Sequence, residues 1–181
     1  TDVVPDGGLT AQGNLGQEIT LGGFPFVFRG IGVGQSGAIG GSVLAHANER
    51  GIGLVAWASV GNQIDVDVVE LGKRILREDE VRTVALYLEA IPDGAAWSQL
   101  LETARERGKH LVLLRAGKSH AGQLAAASHT GAMVKPDQAF TLLAERHGVI
   151  EVDDVDELID VIEALALDAR PTGRSVAVIT S

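Results

Sequence analysis

Short apolar runs alternate regularly with amphipathic helical patterns along this chain. The apolar runs occupy residues 26–33, 54–58, 83–88, 111–114 and 149–150. Each run is apolar on both faces, which is typical of strands in a parallel sheet that helices cover on both sides. The alternation therefore predicts an α/β chain with a mainly parallel five-stranded sheet between two helical layers.

The helical patterns follow the strands closely enough to predict the chain's organisation. They cover residues 39–50, 65–77, 97–104, 137–147 and 153–165, and we expect Asp137 and either Asp153 or Asp154 to cap the last two. Five strands in this arrangement fit a flavodoxin-like three-layer sandwich over residues 26–169. We expect residues 1–25 to be a linker from a missing preceding domain, and residues 170–181 to be the first strand of a truncated following domain.

Composition excludes several classes of function. Fifteen basic against 24 acidic residues give a net charge of -9, which argues against nonspecific nucleic-acid or membrane binding, because both need a basic face. The chain has no cysteine, so disulfides and thiolate metal sites are excluded. No apolar run approaches the roughly 20 residues of a membrane-spanning helix. We therefore expect a cytoplasmic protein without membrane or nucleic-acid partners.

A glycine-rich turn after the first strand is the first candidate site. Residues 32–37 read Gly-Val-Gly-Gln-Ser-Gly, the spacing of dinucleotide-binding turns, but the second strand lacks the acidic residue that such sites require at its end. The backbone N–H groups from Gln35 through Ser36 and Gly37 to Ala38 open a helix, and together with its dipole they favour an anion. A tight turn that merely needs glycines is the alternative.

Three further segments follow strand ends. His129 lies among small residues in a long stretch without periodicity, and it is a candidate nucleophile or acid–base group, with a plain exposed loop histidine as the alternative. Glu89 directly follows the third strand and could orient an imidazole, or be a solvated strand end. Ser59, Gly61 and Asn62 end the second strand. We predict no metal site.

These segments, in this order, resemble the NDP-forming acyl-CoA synthetases, a superfamily that includes succinyl-CoA synthetase and ADP-forming acetate–CoA ligase. The resemblance covers most of the chain, from about residue 32 to residue 165. It rests on four stretches, which read Gln-Ser-Gly-Ala at 35–38, Ser-Val-Gly-Asn at 59–62, Tyr-Leu-Glu at 87–89 and Ser-His-Thr-Gly-Ala at 128–132.

The resemblance implies a domain that carries a phosphorylated histidine. His129 would take the phosphoryl group, Glu89 would hold its ring, and the phosphate would lie on the helix start together with Thr130 and Gly131. Ser59, Gly61 and Asn62 would face the acyl group and CoA. The implied ligands are CoA and phosphate, with ATP, ADP and Mg bound only through a partner.

The implied partners are an ATP-grasp domain or subunit and a CoA-binding Rossmann domain, so the isolated domain would be inactive. Two alternatives stay open. One is a regulatory, ligand-sensing module of a bacterial protein acetyltransferase, in which an acetyltransferase domain would be the partner. The other is a flavin-binding flavodoxin, which would place aromatic rings in its ligand loops.

Overall fold

Five strands of the chain pair into one parallel sheet, and helices lie between them in sequence. The computed structural model describes residues 10–12, 18–20, 30–52, 54–64, 66–90, 92–117, 138–166, 173 and 175. In chain order the described elements are β1 (Thr10–Gln12), β2 (Glu18–Thr20), β3 (Gly30–Gly34), α1 (Gly37–Glu49), β4 (Leu54–Ser59), α2 (Val68–Ile75), β5 (Thr83–Leu88), α3 (Gly94–Glu106), β6 (His110–Arg115), α4 (Gln138–Arg146), β7 (Ile150–Val152) and α5 (Val155–Ala166).

The large sheet has the strand order β4-β3-β5-β6-β7, and every neighbouring pair is parallel. In register, Gly34 lies opposite both Ser59 and Tyr87, and Leu88 lies opposite Arg115. The strands therefore end together at one edge of the sheet. The predicted α/β sandwich with a parallel five-stranded sheet is confirmed.

Side chains on the two faces of the sheet enter two separate apolar layers. All six residues of β5 are buried, as the continuous apolar run predicts. On one face Leu86 packs in a cluster with Trp97 of α3 and residues of α2 and α4. On the other face Ala85 packs in a cluster with Trp57 of β4 and residues of α1 and α5. The two clusters are the interior of a three-layer sandwich.

Three glycines make room for the indole ring of Trp57. A Cβ atom on Gly32 would lie 2.0 Å from Trp57 Cε3, one on Gly34 would lie 2.6 Å from Cζ2, and one on Gly40 would lie 2.2 Å from Nε1. These separations are far below van der Waals contact. The indole is 6% exposed and lies between β3 and the first turn of α1. Packing against Trp57 therefore explains Gly32 and Gly34, the first two glycines of the spacing that imitates a dinucleotide-binding turn.

The boundaries differ from the predictions in two places. The second helix begins at Val68 and not at residue 65, because the Asp67 side chain caps it by accepting a 2.6 Å hydrogen bond from the N–H of Glu70. Within the predicted linker, β1 and β2 form a short antiparallel pair, with Thr10 opposite Thr20. The strand predicted near the end of the chain lies, apart from Ser175, outside the described residues. The assignment of residues 1–25 to a linker and of residues 170–181 to a following domain stays a prediction.

No helix among the described residues combines the length and the hydropathy that crossing a bilayer would require.

We expect Asp154→Ala to destabilise the fold by about 1 kcal/mol, because it removes the cap of α5. Asp154 Oδ1 accepts a 2.8 Å hydrogen bond from the N–H of Glu157, and the Glu157 carboxylate accepts one of 2.7 Å from the N–H of Asp153. Urea unfolding of the two proteins measures the loss. Asp154→Asn keeps an acceptor oxygen, so a similar loss in that variant would contradict the capping role.

Candidate functional site

The predicted site residues within the described part of the chain gather at one edge of the sheet. Backbone hydrogen bonds continue past the strand ends, from Val60 N–H to Gly34 O at 2.9 Å and from Ala116 N–H to Leu88 O at 2.8 Å. These bonds hold the loops after β3, β4, β5 and β6 side by side. The residues brought to this edge are Gln35, Ser36, Gly37, Ala38, Ser59, Gly61, Asn62 and Glu89.

The first turn of α1 is open toward this edge. Ser36 is the N-cap in extended conformation, and its hydroxyl accepts a long hydrogen bond of 3.4 Å from the N–H of Ile39. Gly37 and Ala38 are exposed, and the first turn contains no acidic side chain. The N–H groups of a first helical turn have no partner within the helix and carry partial positive charge. The geometry is that of a helix start able to receive a phosphate.

Gln35 lies between β3 and α1, and its side chain reaches across to the loop after β5. Its Oε1 accepts hydrogen bonds from the N–H groups of Glu89, at 2.5 Å, and Ala90, at 3.0 Å. Its own N–H donates to Tyr87 O at 3.3 Å. The amide oxygen is therefore engaged by protein backbone, and phosphate binding by Gln35 stays a prediction.

Glu89 has a partner that the sequence analysis did not single out. Tyr87, which lies in β5 two residues before Glu89, is 9% exposed and makes a side-chain hydrogen bond to Glu89. Burial, together with the negative charge of Glu89 and this hydrogen bond, raises the pKa of Tyr87 to about 12. The hydroxyl is thus protonated at neutral pH and donates to the carboxylate. The signal in the sequence was the alternation that places residues two apart on one face of a strand.

The loop after β4 completes one side of the edge. Ser59 is exposed, and its Oγ lies 3.9 Å from the position that a Cβ on Gly37 would take. Gly61 and Gln63 both have positive φ, at 54° and 57°, which turns the chain sharply after the strand. Gln63 Oε1 then accepts a 3.0 Å hydrogen bond from the N–H of Val68, where α2 begins. Asn62, at the turn itself, faces solvent.

A cavity of 570 Å³ opens beside these loops, between the starts of α1 and α5. Tyr87 is part of its wall, so the Tyr87–Glu89 pair lies at its border. The residues lining it are Ile39, Tyr87, Leu114, Arg115, Ala116, Gly117, Asp153, Asp154 and Val155. The cavity has room for a small organic group next to the helix start.

His129, Thr130 and Gly131 lie outside the described residues, and their roles stay predictions. The chain leaves the sheet edge at Gly117, after β6, and the described residues resume at Gln138. Among the residues that the structure describes, no group of three His, Asp or Glu side chains is placed to hold a metal ion.

Comparison with known proteins identifies the family. Residues 31–165 match the family described as succinyl-CoA ligase like flavodoxin domain. The chain is 32% identical over 151 residues to subunit alpha of acetate–CoA ligase [ADP-forming] I from Pyrococcus furiosus, an alignment covering 82% of this chain and 32% of that subunit. It is 31% identical over 150 residues to 4-hydroxybutyrate–CoA ligase [ADP-forming] from Nitrosopumilus maritimus, covering 82% of this chain and 22% of the ligase.

A solved structure agrees with these relatives. Dinucleotide forming acetyl-coenzyme A synthetase 1 of Ca. Korarchaeum cryptofilum, in complex with phosphate and ADP, is 26% identical with a TM-score of 0.70, over 82% of this chain and 32% of that one. The chain thus spans a third or less of the length of these proteins. On the match across residues 31–165 and these relatives, the chain belongs to the NDP-forming acyl-CoA synthetases, as their succinyl-CoA ligase-like flavodoxin domain.

Proposed function

We propose that this domain relays a phosphoryl group through His129 within an acid–CoA ligase. The overall reaction converts an acid, CoA and ATP to acyl-CoA, ADP and phosphate. The observation that carries the proposal is the position of Glu89, whose backbone N–H is hydrogen-bonded to Gln35 Oε1 at the sheet edge, beside the open first turn of α1. A carboxylate able to orient an imidazole and a helix start able to receive a phosphate therefore lie at the same edge of the sheet, which supports the proposal.

The relay has three steps. A ring nitrogen of His129 attacks the γ-phosphorus of ATP, so a P–N bond forms, a P–O bond breaks and ADP leaves. The acid's carboxylate oxygen then attacks the same phosphorus, the P–N bond breaks and an acyl phosphate forms. The CoA thiolate attacks the acyl carbon, which forms the thioester and releases phosphate. Dividing one difficult reaction into easier ones is the advantage of a covalent intermediate.

Residues of this chain have distinct tasks in that scheme. Glu89 accepts a hydrogen bond from one ring nitrogen of His129, which fixes the tautomer and leaves the other nitrogen free to attack. The N–H groups from Ser36 to Ala38, with Thr130 and Gly131, hold the phosphoryl oxygens. Ser59, Gly61 and Asn62 face the acyl group and the thiol end of CoA.

Other parts of the ligase supply the remaining sites. An ATP-grasp domain or subunit holds ATP and Mg, and a CoA-binding Rossmann domain holds CoA, so His129 has to serve two sites in turn. The longer relatives, of which the chain covers a third or less, support this division. On this proposal, the isolated chain does not turn over.

We expect incubation with Mg-ATP and a competent ATP-grasp partner to add one acid-labile phosphoryl group to His129, which peptide mass spectrometry detects. The label should disappear when ADP is added, because the step is reversible, and it should be absent from His129→Ala. Failure to label, with a control substrate domain phosphorylated by the same partner, would overturn the relay and favour a ligand-sensing domain.

A further inference from the structure

Glu89 is held at two points, its backbone N–H and its carboxylate. Gln35 holds the backbone. Its Oε1 accepts hydrogen bonds from two successive N–H groups, those of Glu89 at 2.5 Å and Ala90 at 3.0 Å. All three residues are half-buried. Because Gln35 directly precedes the cap of α1, this contact ties the start of α1 to the turn that carries Glu89.

Tyr87 holds the carboxylate of Glu89 through a side-chain hydrogen bond. Its ring is buried against the α1 and α5 layer, and its hydroxyl, which stays protonated at neutral pH, donates to the Glu89 carboxylate. The Tyr87 backbone oxygen also accepts from the N–H of Gln35 at 3.3 Å. The three residues therefore form one hydrogen-bonded unit across β3 and β5.

We propose that Gln35 and Tyr87 are positioning residues that hold Glu89 in a single orientation toward the histidine ring, Gln35 through the backbone and Tyr87 through the carboxylate. This inference rests on the relay proposed above, and it assigns both residues a task that neither motif spacing nor composition indicates. A glutamate side chain with three rotatable bonds loses considerable freedom when it is held. Because the folded protein already restricts this side chain, less conformational freedom is lost at each transfer step.

The first test measures the Tyr87–Glu89 contact without any phosphoryl transfer. Tyr87 is the single tyrosine of the chain, so ultraviolet absorbance at alkaline pH reports its ionisation alone. We expect a midpoint near pH 12 in the native chain and a lower midpoint in Glu89→Gln, which removes the negative charge but leaves the burial that is the largest cause of the raised pKa. Circular dichroism recorded at each pH restricts the comparison to folded protein. An unchanged midpoint in Glu89→Gln would overturn the contact, whether or not His129 is ever phosphorylated.

The second test measures the Gln35 contact. Hydrogen exchange monitored by NMR should show the amides of Glu89 and Ala90 to be faster in Gln35→Met, which keeps the length of the side chain but removes its acceptor. Gln35→Glu keeps an acceptor oxygen and should retain their protection. Gln99→Met, on the exposed face of α3, is the matched control. Equal exchange in Gln35→Met and the native chain would overturn this half of the proposal.

The third test separates positioning from direct phosphate binding. In the full-length ligase, we expect Tyr87→Phe and Gln35→Met each to slow phosphorylation of His129 by about tenfold, the size of a lost hydrogen bond. The affinity for inorganic phosphate should stay unchanged. A fall in phosphate affinity with an unchanged transfer rate would overturn the positioning role and make Gln35 a phosphate ligand.

Discussion

Replacing Glu89 with glutamine is expected to slow phosphoryl transfer to His129 by up to roughly 10⁴-fold, the loss seen when the acid that orients a catalytic histidine is replaced by its amide. The amide keeps the shape of the side chain, and the Gln35 contact survives, because it uses the backbone N–H of residue 89. What is lost is the negative charge that selects one tautomer of the imidazole. The fold should therefore persist while the rate falls.

The measurement is single-turnover phosphorylation of the full-length ligase or of the reconstituted domains, with the label on His129 followed over time. Glu78→Gln is the matched control, since Glu78 is exposed and lies before β5, at the opposite end of the same strand. We expect that variant to transfer at the native rate. A Glu89→Gln protein with the rate of Glu78→Gln would remove Glu89 from the mechanism.

Two neighbouring glycines of α1 are expected to respond oppositely to the same substitution. Gly40→Ala puts a methyl group 2.2 Å from Trp57 Nε1 and should destabilise the fold by about 1–3 kcal/mol, the usual cost of overpacking. Gly41 has nothing within 4 Å of an added Cβ and is exposed. Gly41→Ala should stabilise the fold by about 0.5–1 kcal/mol, the difference in helix propensity.

Urea unfolding of the two variants and of the native chain measures both predicted changes in the free energy of unfolding, the decrease in Gly40→Ala and the increase in Gly41→Ala. If the clash with the indole is the cause, Gly40→Ala should cost much less stability when Trp57→Leu has already removed the ring. The double variant should then be less destabilised than the sum of the two single variants. Strict additivity of Gly40→Ala and Trp57→Leu would show that the glycine serves some other purpose.

The fold was predictable because its signals are local. Each strand of the large sheet lies on an apolar run, and β5 coincides with its run from Thr83 to Leu88. The caps were less predictable, since Asp65, Asp67, Asp153 and Asp154 all have the right side chain. Only the chain geometry selects Asp67 and Asp154, whose oxygens reach N–H groups three residues ahead.

The site was predictable as a set of strand ends, because parallel strands bring their carboxyl ends to one edge. The partners within it were not. Gln35 and Glu89 are 54 residues apart, and neither spacing nor residue type indicates their hydrogen bond. Gly32 and Gly34 have a spacing typical of nucleotide sites, but the ring that requires them is Trp57, on a strand reached only after all of α1.

The packing of Trp57 gives the molecule an internal optical probe. Its indole lies under the first turn of α1, where a bound anion would change the local electric field and so the wavelength of its emission. Trp97 is buried on the other face of the sheet, away from that turn, and can act as an internal reference. In variants that retain only Trp57 or only Trp97, the tryptophan fluorescence would report phosphate binding in real time without an attached dye.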